Sequence, residues 1–171
     1  PWSPVSTVIV PASTVTSADA VVLQIRLSER QRANTIARSG TPGGDGRALS
    51  VSTFRFAFLD LAGNGNDAQT QVPVTETADF QSPLVVAASL DFGTNTLILN
   101  VSEIADVTPS AEKVVKTGLF LSILLSDKSI ALSACHITEM DDERVTLILD
   151  EATRVTALLA SGVAGGDGSP L

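Results

Sequence analysis

The residues whose chemistry could support catalysis lie at one place in this sequence. Cys135 and His136 are adjacent, and a thiol beside an imidazole can act as nucleophile and base. Neighbouring side chains on a strand point to opposite faces, so these two cannot form a hydrogen-bonded pair if the segment is a strand. The chain contains a single histidine. We therefore expect a core cysteine beside an exposed histidine, and we do not expect an enzyme.

Two glycine-rich loops resemble phosphate-binding loops only superficially. The sequence Gly-Gly-Asp-Gly occurs at 43–46 and again at 165–168. Neither copy is followed by the Lys-Ser/Thr pair of a phosphate loop. The first copy leads into a strand-like stretch, whereas a phosphate loop opens a helix. These loops are therefore predicted to serve as structural turns.

A polar turn carries oxygen atoms that a metal ion could use. Its carboxylate and amide side chains are Asp60, Asn64, Asn66 and Asp67. Calcium prefers such ligands, although the spacing differs from that of an EF-hand. Asp and Asn also favour tight turns without any ligand, because their side chains bond to nearby backbone. The turn without a ligand is the preferred interpretation, and a calcium site is the alternative.

The composition argues against several classes of function. The formal net charge is −8, so we expect no binding to nucleic acid or to anionic membrane surfaces. No apolar run reaches transmembrane length, and the first ten residues lack the features of a signal peptide. One cysteine excludes an internal disulfide but is compatible with an extracellular protein. Because the sequence begins at Pro1 without methionine, we expect a fragment of a longer chain.

An internal repeat is the most informative feature of the sequence. Residues 21–49 match residues 143–171 without a gap, at an offset of 122, and ten of the 29 positions are identical. The match covers strand-like and helix-like stretches as well as glycines, so low complexity does not explain it. We predict a module of about 122 residues. Residues 1–79 would be the C-terminal part of one module and residues 80–171 the N-terminal part of the next, with a linker over Pro73–Pro83.

The hydrophobic pattern of the module predicts mainly strands. Leu97, Leu99 and Val101 alternate with polar or outward positions, which is typical of a strand with one face in a core. The apolar run 118–125 and the segments 129–137 and 144–151 are further candidate strands. A longer strand is predicted over 48–60, with Phe54, Phe56 and Phe58 on one face.

One short helix is predicted in each copy of the module. Asp150 is a candidate N-cap for a helix in which Val155, Leu158 and Leu159 have helical spacing. Ser28 stands at the equivalent place in the first copy. The predicted fold class is therefore all-β, a β-sandwich with one short helix per repeat.

Three motifs give the chain a family resemblance. The segments Leu90–Glu103, Arg144–Leu159 and Asp60–Asn64 resemble, in order and spacing, the Ig-like or cadherin-like tandem repeats of large microbial and algal surface and filament proteins of the adhesin or mastigoneme type. Val101 stands where those repeats usually have Phe. The resemblance implies Ig-like sandwiches and calcium at module junctions. The calcium ligands it implies are Asp60, Asn64, Asp67, Glu76, Asp79 and Glu103.

The function expected from these features is structural. The chain is interpreted as a repeat module of a secreted fibre or cell-surface protein that mediates extension and assembly with copies of itself or neighbouring repeats, whose strands complete one another. Asn100 begins an Asn-Val-Ser sequon on the outer side of a strand, so a glycan is possible there. One alternative is an adhesin or carbohydrate-binding module, for which Trp2 is the only Trp or Tyr side chain. Another is an accessory domain of a secreted hydrolase.

Overall fold

The chain folds as two units that can each be described separately. The structure is a computed structural model that describes residues 22–122 and 129–167. One unit comprises Pro1–Gln81 and the other Ser82–Leu171, so the division falls within the polar segment 73–83. In the described part of the chain, no helix has the length and apolar character that a membrane span requires.

The first unit contains one helix and one two-stranded sheet among its described residues. Helix α1 spans Glu29–Ile36, strand β1 spans Ser50–Thr53 and strand β2 spans Gln69–Pro73. The two strands pair antiparallel, with Val51 opposite Val72 and a change of register before Thr53. Every residue of β2 is exposed.

The phenylalanine-rich segment after β1 is not the long strand that its alternation predicts. This prediction is wrong, because β1 ends at Thr53. Phe56 has a φ of 61°, in the left-handed region, where a strand cannot continue. The chain then forms a narrow hairpin closed by a bridge between Leu59 and Gly65. Phe54 is 89% exposed within this unit, so the three rings do not form a buried face.

The second unit is built on a four-stranded antiparallel sheet. Its strands are β3 (Val85–Asp91), β4 (Thr96–Ala105), β7 (His136–Ile137) and β8 (Asp142–Ile148). Their order in the sheet is β3-β4-β8-β7. Strand β4 lies between β3 and β8, with Leu97 opposite both Leu90 and Leu147. The alternation predicted for β4 is confirmed, because Leu97 is 2% exposed and belongs to the core.

Shorter elements complete the second unit. They are α2 (Ser110–Lys113), a 3-10 helix (Lys116–Gly118), β5 (Phe120–Ser122), β6 (Ser129–Ala131) and α3 (Glu151–Leu159). Strands β5 and β6 pair antiparallel in a separate two-stranded sheet. The apolar run predicted as a strand over 118–125 is a strand from 120 to 122, and residues 123–125 lie outside the described residues.

The core of the second unit lies between the two sheets and the loops that join them. Ile137 and Leu147 are fully buried, and Cys135 is 1% exposed. Leu119 and Leu121 from the β5 side pack against the same cluster. The coarse prediction of an antiparallel β fold with short helices is therefore confirmed. The described strands form three separate sheets, of two, four and two strands.

Helix α3 forms where the sequence predicts it. Ala157 is fully buried, whereas Val155 is 38% and Leu159 is 59% exposed. Leu158 is half-buried. The apolar spacing thus predicts the helix correctly, and the structure shows that Ala157 is its buried residue. Two large apolar side chains remain outside.

Candidate functional site

A helix with a side-chain N-cap begins at the equivalent position in each unit. The Ser28 hydroxyl accepts a hydrogen bond from the backbone of Gln31 (3.4 Å), and the Gln31 side chain accepts one from the Ser28 amide (2.8 Å), so the two form a capping box. At the equivalent place, the Asp150 carboxylate accepts a hydrogen bond from the Thr153 amide at 3.1 Å. Both predicted N-caps are confirmed. Each cap satisfies a backbone amide that the helix itself leaves without a partner.

An ion pair of the same geometry follows each cap. Arg32 donates to Glu29 through Nε at 2.6 Å and Nη2 at 2.7 Å. Arg154 donates to Glu151 through the same two nitrogens, at 2.8 and 2.6 Å. These acids lie in the first turn, where a negative charge is favourable at the helix N-terminus. The two copies therefore share the geometry of this ion pair as well as its residues.

A buried serine closes each helix at its C-terminal end. Ser39 is 3% and Ser161 is 2% exposed. The Ser39 hydroxyl donates to the carbonyl of Ile36 at 2.8 Å, and the Ser161 hydroxyl donates to that of Leu158 at 2.7 Å. In both cases the serine amide donates to the same carbonyl. The last turn of each helix is thus held by two donors from one residue.

The following glycines are required by the backbone. Gly43 and Gly165 have φ values of 91° and 98°, which favour glycine. The next residue is Gly44 in the first copy and Gly166 in the second. A Cβ on Gly44 would lie 2.2 Å from the carbonyl oxygen of Ser39, and a Cβ on Gly166 would lie 2.0 Å from that of Ser161. The turn predicted from Gly-Gly-Asp-Gly is therefore confirmed. We name the two copies, residues 28–46 and 150–167, the helix–turn units.

The amides of the two turns are used within the protein. Gly44 donates to the carbonyl of Thr41, and Gly166 donates to that of Val163, both at 3.0 Å. One further bond differs between the copies. In the first copy the Gly46 amide bonds to Ser39, whereas in the second the Asp167 amide bonds to Leu159. These bonds keep the turn closed against its helix.

The polar turn at 60–67 is held by its own carboxylate. Asp60 accepts hydrogen bonds from the backbone of Ala62 at 2.9 Å and from the backbone and side chain of Asn64 at 2.8 and 2.9 Å. The Asn64 side chain, above all, keeps the pKa of the Asp60 carboxyl below its usual value. Asp67 is exposed and lies 3.8 Å from Arg55. Asp60 and Asn64 meet as predicted, in a turn that their mutual hydrogen bonds already account for.

The two linker acids predicted as calcium ligands bind the first helix–turn unit. Glu76 accepts hydrogen bonds from the amides of Gly40 at 2.9 Å and Leu49 at 2.6 Å. Asp79 accepts the Gln81 amide and pairs with the Arg32 guanidinium, and these contacts lower the pKa of the Asp79 carboxyl. Sequence reasoning missed this role, since nothing in the local sequence relates residue 76 to residues 40 and 49.

The remaining predicted ligand and the calcium site itself stay predictions. Glu103 lies on β4 in the second unit. Among the described residues, no group of three or more His, Cys, Asp or Glu side chains is arranged to hold a metal ion.

The sequon asparagine and the cysteine–histidine pair lie where their strands put them. Asn100 is half-buried on β4, opposite Arg144 of β8 and one residue from the core-facing Leu99. A glycan on Asn100 remains a prediction. Cys135 is buried in the core, which raises the pKa of its thiol, and His136 is exposed. The expected arrangement of these two side chains is therefore confirmed.

Comparisons of this chain with family models, curated proteins and solved structures give no match.

Proposed function

We propose that this chain belongs to a head-to-tail array of Ig-like β-sandwich modules in a secreted or cell-surface structural protein, with a role in extension and assembly. The observation that carries this proposal is the recurrence of the helix–turn unit. Two segments 122 residues apart share their cap position, ion pair, buried serine and pair of glycines, and each of these makes the same contact in both copies.

The shared contacts depend on different kinds of chemistry. An N-cap requires a side-chain oxygen, the ion pair requires opposite charges three residues apart, and the two glycines are required for separate steric reasons. Unrelated segments would have no reason to satisfy all of these requirements in the same order. Repetition of one module explains the agreement, and repeated modules stacked along a chain are typical of extended proteins.

The core of the second unit supports the sandwich form of the proposed module. Leu97 and Leu147 come from the four-stranded sheet, while Leu121 comes from β5 in the other sheet. Side chains from two sheets therefore meet in one cluster, as in a two-layer β domain. The Ig-like form of these layers is part of the proposal.

The roles of the acidic side chains also support a structural function. Asp141 accepts the amide of buried Val107 at 2.9 Å, and Glu139 accepts that of Ser110 at 2.8 Å. Glu76 and Asp60 likewise bind backbone amides. Much of the conspicuous negative charge thus fixes loops between elements, which suits a module whose task is to keep its shape.

The proposal is tested by locating the protein on the cells that produce it. Antibodies raised against the chain should label extracellular filaments or the cell surface in immunoelectron microscopy. Brief protease treatment of intact cells should remove the antigen, because an extracellular protein is accessible to the enzyme.

Antibody preabsorbed with the purified chain serves as the control for specific labelling. Specific label confined to the cell interior, with antigen that survives protease treatment of intact cells, would contradict the proposed function.

A further inference from the structure

In the first unit, the segment after β2 binds the helix–turn unit at two places. The Glu76 carboxylate accepts the amides of Gly40 and Leu49, and the Asp79 carboxylate pairs with Nη1 of Arg32. The backbone runs alongside as well, because the Val74 amide donates to the carbonyl of Leu49 at 3.1 Å. One backbone amide and one guanidinium of the helix–turn unit are thus satisfied by one acidic segment.

In the second unit, the equivalent donors have no such acceptors among the residues that the structure describes. Gly162 stands at the position of Gly40 and Arg154 at that of Arg32, each at an offset of 122. Within the described part of the chain, the Gly162 amide makes no hydrogen bond. Arg154 binds Glu151 through Nε and Nη2, and its Nη1 has no acceptor among the described residues. Within the described residues, the second helix–turn unit therefore presents these two donors without counterparts of Glu76 and Asp79.

Apolar side chains neighbour these donors along the chain, since Val155 follows Arg154 and Val163 follows Gly162. Val155, Leu159 and Val163 are 38%, 59% and 50% exposed. In the first unit the side chains at the equivalent positions are smaller, and they are Ala33, Ala37 and Thr41. Large apolar side chains next to unused donors are typical of a surface that another segment covers.

We propose that the second helix–turn unit is the docking site for a further copy of the segment Ser50–Asp79. An adjoining repeat supplies this copy, and it follows Leu171 as Ser50 follows Leu49. In the docked state, one carboxylate accepts the Gly162 amide and a second pairs with Nη1 of Arg154. This proposal deepens the proposed function and rests on it, since it names the partner that each module requires.

Charge and connectivity select this occupant. The site offers a guanidinium and an amide, and the segment 74–79 carries two acids and no basic residue, so the charges are complementary. Both strands that precede these acids, β1 and β2, are uncharged, so their approach brings no like charges together. In the first unit, Glu76 and Asp79 already bind the equivalent donors, Gly40 and Arg32. The same contacts are therefore expected in the second unit.

The test uses the complete chain, lengthened at its C-terminus by its own residues 50–81 and termed the extended chain. Amide hydrogen exchange of Gly162 is measured by NMR in the native and the extended chain. We expect exchange at Gly162 to slow by about fivefold or more in the extended chain, the factor that corresponds to one net hydrogen bond. Val155 and Val163 methyl groups should show contacts with the added segment.

A matched variant separates specific docking from the effect of added length. It carries Glu76→Gln and Asp79→Asn in the added segment only, so the first unit keeps its own contacts. Exchange at Gly162 should return most of the way to the rate of the native chain. Equal Gly162 exchange in the native and extended chains would overturn the proposal, and so would full protection in the matched variant.

Three further outcomes have defined meanings. If Gly162 of the native chain became protected as concentration rose, a second copy of the chain would be the source of the segment, and the adjoining-repeat source would be overturned. If exchange at Gly162 shows no docking while antibodies still label the cell surface, this proposal is overturned and the proposed function stands. Labelling confined to the cell interior would overturn the proposed function while the exchange result stood.

Discussion

Replacing Gly166 with alanine tests whether the close approach inside the second helix–turn unit is essential. The added Cβ would lie 2.0 Å from the carbonyl oxygen of Ser161 and 2.6 Å from that of Leu158, and real Cβ atoms essentially never come within 3.0 Å of such atoms. Both neighbours are backbone atoms, so no flexible side chain can move aside. The turn must separate from the end of α3.

The size of the effect follows from what that separation breaks. The turn is attached by the bonds from Gly166 to Val163 at 3.0 Å and from Asp167 to Leu159 at 2.9 Å. Each contributes about 1 kcal/mol net, and residual overpacking adds about 1 kcal/mol. We expect Gly166→Ala to destabilise the closed turn by about 3 kcal/mol. The equilibrium constant for opening of the turn, and with it the rate of hydrogen exchange at the Asp167 amide, should therefore rise by about 100-fold.

Native-state hydrogen exchange by NMR measures this quantity at single residues. Gly118→Ala is the matched control, because a Cβ at Gly118 meets nothing within 4 Å and its φ is not positive. Gly44→Ala should have a similar effect in the first unit, where the Cβ would lie 2.2 Å from the Ser39 oxygen. The steric argument fails if exchange at Asp167 in Gly166→Ala stays within about threefold of the control, a difference below one net hydrogen bond.

Three further predictions concern the second unit. Leu147→Ala should lower the free energy of unfolding by about 3 kcal/mol, measured by urea denaturation, because the side chain is fully buried in the core. Ser161→Ala should lower it by about 1 kcal/mol in the same assay, since one buried hydroxyl bond is lost while the serine amide still binds Leu158. Hydrogen bonds from the Thr153 side chain and backbone depress the pKa of the Asp150 carboxyl below 3.8, so its contribution is present above that pH and is lost as the pH falls through the depressed value. Thermal unfolding from pH 5 to pH 2 should therefore show a smaller acid-induced decrease in Asp150→Asn, and an unchanged pH profile would contradict this assignment.

Local sequence signals predicted the elements whose cause is local. Ser28 and Asp150 cap their helices as expected, because a cap depends only on residues within one turn. The alternation around Leu97 placed one face of β4 in the core, because a strand with one buried face requires that period. The paired glycines also predicted the turns, since few other residues adopt those conformations.

The wrong prediction of a long strand over 48–60 arose where nonlocal packing decides between equally regular patterns. The alternation of Phe54, Phe56 and Phe58 fits a strand, but the chain turns at Phe56 into a narrow hairpin. In α3 the spacing of Val155 and Leu159 correctly indicates a helix, and only the structure shows that Ala157 is its buried residue. Periodicity indicates that a face exists, and only the neighbouring elements determine which face is covered.

The sequence by itself determined the internal repeat, the capped helices and the glycine turns, because each depends on residues that are identical or equivalent 122 positions apart. Only the tertiary structure decided that Glu76 and Asp79 bind the first helix–turn unit, and that Gly162 and Arg154 present the same donors in the second. These contacts join residues far apart along the chain. Which residues meet depends on how the backbone brings distant segments together, and no local pattern of residue types encodes that.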